Sequence, residues 1–302
     1  MAITKFPNGV SSHGMPLVGF STGSVFFVHS GTGSNGNSGT DPSSPFATIA
    51  YALTRCTTNV GDVVFAMPGH TEVIIAADTV TTGAIAGVSV IGLGNGTNRP
   101  TITYTTAAAA SFGINSANIL LENLYFDITG VDAVTTAVDI DAANCTIRNC
   151  EFLMADGSGQ AVVAVHADTA ASNVVIEDCK FLSPDDGATA AVHFEGSGTG
   201  RSVRNCHFDG DFDAACIYAT AAQVDVLIAN NYFRNDNAAK SGLDLGATTV
   251  ASEGIVAYNL HNTADTAGWK ALLIGACQPF ENYSNYSATK SGALLPAVTA
   301  TA

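Results

Sequence analysis

The run Asp209-Gly210-Asp211-Phe212-Asp213 offers three carboxylates at alternate positions. In an extended chain alternate residues project to one side, where like charges repel and a hard divalent cation such as calcium can relieve them. Calcium is therefore the candidate ion, with Asp209, Asp211 and Asp213 as its ligands, and Asp127, Asp156, Asp185, Asp186 and Asp236 stand at comparable places elsewhere. The plainer explanation is that Asp, Gly and Asn make good turns. Two such carboxylates also suit glycoside cleavage, but sequence spacing does not set the separation that this reaction needs. A second set, Asp139, His193, Tyr218 and Asp244, mixes acid, imidazole and phenol at the centre of apolar triplets. Such a set can form a subunit-interface or ligand face, and a flat face bearing aromatic rings favours the interface. His166, His207 and His261 stand alone without metal-ligand spacing, so surface or turn positions are expected for them. Trp269 is expected to cover the end of the core.

The elements that position these groups follow from a repeat. Ile147-Arg148-Asn149-Cys150-Glu151-Phe152 recurs as Ile176-Glu177-Asp178-Cys179-Lys180-Phe181 and Val203-Arg204-Asn205-Cys206-His207-Phe208. Looser copies at Leu121 to Phe126, Ile228 to Phe233 and Val256 to His261 put the third position at 123, 149, 178, 205, 230 and 258, steps of 26, 29, 27, 25 and 28. Each phrase reads as a strand, a bend at Asn or Asp, and a second strand, because these residues tolerate left-handed backbone angles. A further apolar triplet per repeat, such as Val138-Asp139-Ile140, Val163-Ala164-Val165, Val192-His193-Phe194 and Leu243-Asp244-Leu245, reads as a third strand. Repeats this short leave no room for crossover helices. The expected fold is all-β: a right-handed, single-stranded parallel β-helix, a solenoid of about eight coils. Stacking at the ~4.8 Å strand spacing would place Phe126, Phe152, Phe181, Phe208 and Phe233 in one internal ladder, with Cys150, Cys179 and Cys206 in another.

Composition agrees. The 302 residues are 47% hydrophobic and only 12% charged, with 30 glycines, which points away from helical bundles. Only 11 Lys and Arg leave a net charge of −15, arguing against nucleic acid or an anionic membrane as partner. The seven cysteines form no Cys-x-x-Cys pair and lie in apolar segments, as buried thiols would. With no basic-then-apolar leader and no membrane-length apolar run, folding in a reducing cytoplasm is expected.

Solenoid ends need caps. Ser44 as N-cap, Pro45 at the first helical position, and Phe46, Ile49, Ala50 and Leu53 at helical spacing predict a short N-terminal capping helix near residues 45 to 56. The organisation expected is an extended N-terminal arm and Gly/Ser-rich loop over 1 to 37, the β-helix over 38 to 286, and a C-terminal tail over 287 to 302.

The stretch from Asp41-Pro42-Ser43-Ser44-Pro45-Phe46-Ala47-Thr48-Ile49 through Pro68-Gly69, taken with the coil phrases, resembles pectin-lyase-like β-helix proteins over residues 38 to 286. That fold carries lyases, hydrolases, tailspikes and non-catalytic structural proteins, so the resemblance implies the fold more than an activity. A pectate-lyase-like enzyme would need calcium-binding aspartates beside a basic residue. A polygalacturonase-like one would need Asn-x-Asp, Asp-Asp, Gly-His-Gly and Arg-x-Lys on neighbouring coils. Only Asp185-Asp186 matches, in a turn without the accompanying His or basic residues. The opening Met1-Ala2-Ile3-Thr4-Lys5-Phe6-Pro7-Asn8-Gly9-Val10 is similar to the start of tailed-bacteriophage structural proteins. Together these imply a non-catalytic virion protein that decorates or cements a capsid as a homotrimer. Its arm, with Phe6, Pro7, Asn8 and Val10, would grip the major capsid protein or another virion protein, with no cofactor unless calcium binds. The alternative is a tailspike or fibre that binds or depolymerises a host polysaccharide.

Overall fold

A computed structural model describes residues 11–12, 15–16, 23–154, 161–237, 240–246, 252–263, 274–284 and 292–293. The chain winds as a parallel β-helix with three sheets. The first and second contain ten strands each and the third seven, each parallel neighbour lying one coil away, while Gly292–Ala293 closes the second sheet antiparallel to Tyr283–Ser284. Among the described residues seven coils have all three sides; beyond them two coils toward the C-terminus show strands of the first two sheets, and Val25–Val28 adds one strand at the N-terminal edge of the first sheet. No described helix is long and apolar enough to cross a membrane.

The coil phrase behaves as its residues dictate. In one coil Thr146–Arg148 lies in the first sheet and Glu151–Leu153 in the second. Between them Asn149 takes φ 51°, and Asn123, Asp178, Asn205 and Asn230 take 55° to 57° at the same corner. Asn and Asp hold this left-handed region more cheaply than other side chains. Tyr258 and Glu281 occupy it in the last coils at φ 58° and 43°.

Inside the second sheet Phe126, Phe152, Phe181, Phe208 and Phe233 stack with ring centroids 4.6, 4.8, 4.9 and 5.1 Å apart. His261 continues this stack at 4.8 Å from Phe233, buried rather than on the surface or in a turn as its isolation suggested. It shares the register position of phenylalanine, with Phe233 opposite His261. Burial pushes its pKa down to about 3, so the ring is neutral. Beside the stack, the buried column of Cys150, Cys179 and Cys206 passes into Asn231, Asn259 and Asn282. Asn231 accepts from the Cys206 N–H at 2.9 Å, Asn259 from Asn231 at 3.0 Å and Asn282 from Asn259 at 3.1 Å. All seven cysteines are free and buried.

The N-terminal cap begins later than its sequence suggests. The helix spans Ile49–Arg55, with Thr48 rather than Ser44 as N-cap, and the Thr48 side chain accepts from the Tyr51 N–H. Ser44 instead closes a turn by donating to Asp41 O at 2.9 Å. Phe46 is held extended because its N–H donates to Phe27 O at 2.8 Å and its carbonyl accepts from His29 at 2.9 Å. That pairing overrides the Ser-Pro helix start. Ile49, Ala52 and Leu53 face the core. Val25–Val28, inside the segment expected to be arm and loop, already pairs in parallel with Val63–Ala66 as the outermost strand of the first sheet.

Candidate functional site

The third sheet positions the acid, imidazole and phenol groups. Its central strands are Phe112–Ile114, Val138–Ile140, Val163–Ala167, Ala190–Phe194, Ala215–Ala219 and Ser241–Asp244. Each keeps apolar side chains inward, and all but Phe112–Ile114, which has Gly113 at that place, turn a polar side chain outward. The parallel register places Gly113, Asp139, His166, His193, Tyr218 and Asp244 in a single outward row. Asp139, His193, Tyr218 and Asp244 thus share the face that their triplets predicted. At Gly113, which follows Thr81 in the register, a Cβ would collide with the Asp78 carboxylate.

His166 belongs to this row and was missed. Aligning Val163-Ala164-Val165 with the other triplets is two residues out of register, since Val165 is the partner of both Val138 and Val192. A slip of two leaves the inward and outward parity of a strand unchanged, so apolar alternation cannot detect it. The outward histidine three residues after Val163 was the available signal.

The row is closely built. His166 Nδ1 lies 2.7 Å from Asp139 Oδ1, one coil earlier, and Nε2 lies 2.7 Å from Glu195 Oε2, one coil later. The His166 and His193 ring centroids are 5.4 Å apart, and Tyr218 stacks on His193 at 5.4 Å and 18°. Burial opposes a charge on His166, but the hydrogen bonds and charges of Asp139 and Glu195 outweigh it and hold the pKa above 6.5. Next door, burial and then the His166 charge push His193 down, with Glu195 opposing in part. Burial and the neighbouring Asp139 and Asp168 raise Asp141, while burial raises Asp244 against the pull of Lys240.

Arg201 holds the turns behind this row. It is fully buried, donating to Ala171 O at 2.9 Å, Gln223 Oε1 at 2.9 Å and Asp168 O, with its guanidinium over the Phe194 ring at 5.2 Å. Burial lowers its pKa to about 10, partly countered by Asp168. The guanidinium thereby fixes the turns that carry Asp168 and Glu195.

The candidate calcium ligands are placed differently. Asp209 pairs with Arg234 at 2.9 Å. Asp213 accepts from Asn237 at 3.1 Å, and Asp211 Oδ1 is buried without a partner. Burial first, then Asp213, Asp186 and Asp236, raise the Asp211 carboxyl against a hydrogen bond from Asn237. Among the described residues no group of three or more His, Cys, Asp or Glu is arranged to hold a metal. Asp185 and Asp186 lie within the strand Lys180–Ala188, at an irregularity in its pairing rather than a free turn. His207 stacks on Tyr232 at 4.7 Å. Phe6, Pro7, Asn8, Val10, Asp156 and Trp269 lie outside the described residues.

The other two faces are charged in a different way. In the first sheet Glu122, Arg148, Glu177 and Arg204 form an alternating row, with contacts of 2.8, 4.0 and 2.8 Å. In the second, Glu151 meets Arg99 at 3.4 Å and Lys180 at 3.5 Å, and Arg234 joins Asp209 to Asp236.

This chain is similar to a rhamnogalacturonan lyase. The identity is 18% and the TM-score 0.48, over 86% of this chain and 67% of that one. No family model matches the chain, and no curated protein matches it. The parallel β-helix is established by the strand order and register themselves.

Proposed function

We propose that this chain is a non-catalytic structural protein of a bacteriophage virion, a capsid decoration or cement protein attached through its terminal arms. The observation that carries this reading is how the outer charges are used: acids and bases of the first two sheets pair from coil to coil. Such rows stiffen a rod rather than converge on a substrate. The phage-like opening segment and its Phe6, Pro7, Asn8 and Val10 supply the attachment end. The protein is read as a homotrimer whose third-sheet face meets another virion protein. Two copies of that face would set Asp139, Asp141, Asp168 and Glu195 against their own like charges, which costs association free energy. The test mixes full-length protein, or a form lacking residues 1 to 24, with capsids assembled from the major capsid protein of the same genome. Co-sedimentation of the full chain and its loss in the truncated, still folded rod are expected. Equal binding by both forms would remove the arm from the attachment.

A second reading, a tailspike or fibre acting on a host surface polysaccharide, is favoured by one feature: His166 engages two carboxylates on a face that also carries Tyr218. Release of reducing or unsaturated ends from capsule or O-antigen, abolished by His166→Gln, would establish it in place of the first.

A further inference from the structure

We propose that Asp139, His166 and Glu195 form a proton-operated clamp that ties three successive coils of the rod together and lets go when the imidazole loses its proton. Asp139 lies in Val138–Ile140, His166 in Val163–Ala167, and Glu195 directly follows Ala190–Phe194. Both ring nitrogens stand 2.7 Å from a carboxylate oxygen. A neutral imidazole has one N–H and one lone pair. At these distances the lone pair would face an anion, so the trio is satisfied only when it holds one extra proton and both nitrogens donate.

The surroundings keep that proton in place. On the preceding coil Asp139 and Asp141 are anionic neighbours, on its own coil Asp168 follows two residues later, and on the next coil Glu195 is the second acceptor. Against the proton stand His193, whose ring packs over His166 at 5.4 Å, and Arg201, buried behind the turn. His193 is pushed toward neutrality by burial and by the His166 charge, so a proton on one of the two adjacent imidazoles disfavours a proton on the other. The His166 side chain is 13% exposed and Asp139 34%, whereas Glu195 is 59% exposed. The Asp139 arm is therefore the stronger, and solvent screens the Glu195 arm.

The sign is fixed by the direction of the shift. A histidine whose folded pKa lies above 6.5 contributes stability that is fully present below 6.5 and is lost as pH rises through the folded pKa. The clamp is independent of what the rod attaches to. Opening it removes the side-chain ties between three coils, leaving the backbone ladder of the third sheet, and makes the face more negative by one charge.

The experiment follows the histidine Cε1–Hε1 resonances of the intact chain by NMR between pH 5 and pH 9, roughly the span over which an imidazole titrates. The His166 signal is assigned by its absence in His166→Gln. A midpoint above 6.5 is expected, with a fall of roughly one pH unit or more in Asp139→Asn and a smaller one in Glu195→Gln. A midpoint at or below 6.5, or one unmoved in both variants, overturns the clamp. In parallel, the melting temperature of the wild type should exceed that of His166→Gln near pH 6, the gap closing toward pH 9. A gap that does not change with pH also overturns it. Should His166→Gln fail to fold, Glu195→Gln, altered at an exposed position, carries the same comparison.

Discussion

Glu72 Oε2 accepts a hydrogen bond from the backbone N–H of Ile49 at 2.8 Å, and Oε1 accepts from Ala50 at 3.2 Å. A helix start leaves such N–H groups without partners, and a carboxylate there also favours the positive end of the helix dipole. Glu72 is 3% exposed and is met by His70 Nε2 at 3.1 Å, while His70 Nδ1 accepts from Ser30 N–H at 3.0 Å. One side chain of the second sheet thus seats the capping helix on the first coil.

Replacing Glu72 by Ala should leave the Ile49 and Ala50 donors and the buried His70 without their acceptor. A buried polar group left unsatisfied costs about 1 to 3 kcal/mol. Thermal unfolding should show the loss, with Glu72→Gln intermediate because its amide oxygen still accepts.

Phe181 sits mid-stack, 4.8 Å from Phe152 and 4.9 Å from Phe208. Phe181→Ala opens a cavity that both neighbours border and should cost about 3 to 5 kcal/mol. Phe181→Leu should cost less, as it retains most of the buried volume. Chemical denaturation of the two variants checks the order, and equal loss would mean that ring stacking itself outweighs volume.

Acid should find His261. Its folded pKa of about 3 lies below the ordinary 6.5, so the folded rod binds fewer protons than the unfolded chain and stability falls as pH drops below 6.5. The loss from this residue is about 2 kcal/mol by pH 5. His261→Phe, which extends the phenylalanine stack by one coil, should unfold at a lower pH than the wild type in an acid titration followed by circular dichroism.

Arg201→Lys should not substitute for arginine. A lysine has no fork to reach Ala171 O, Asp168 O and Gln223 Oε1 together. Leaving buried carbonyls unpaired costs about 1 to 3 kcal/mol each way it is counted. Limited proteolysis should cut the turn from Glu195 to Gly200 faster in the variant, and the His166 titration midpoint should fall as Glu195 loses its fixed position.

What could be read along the chain was whatever repeats locally. Asn149, Asp178 and Asn205 mark the left-handed corner because the preference resides in the residue itself, and the Phe three positions later must point inward once the strand parity is set. The loops and caps were less legible: Ser44-Pro45 carries a helix-start signal, but the backbone of Phe46 is claimed by Phe27 and His29.

The repeat by itself determined the solenoid, its corner residues and its aromatic ladder, since short-range preferences and in-out alternation suffice for these. Only the tertiary structure decided which residues meet across coils. His166 lies between Asp139 and Glu195, 27 residues from one and 29 from the other, because of the register between strands, and a shift of two positions is invisible to alternation. Likewise Glu72 reaches Ile49 across 23 residues by the winding of the first coil, a distance over which sequence pattern carries no phase.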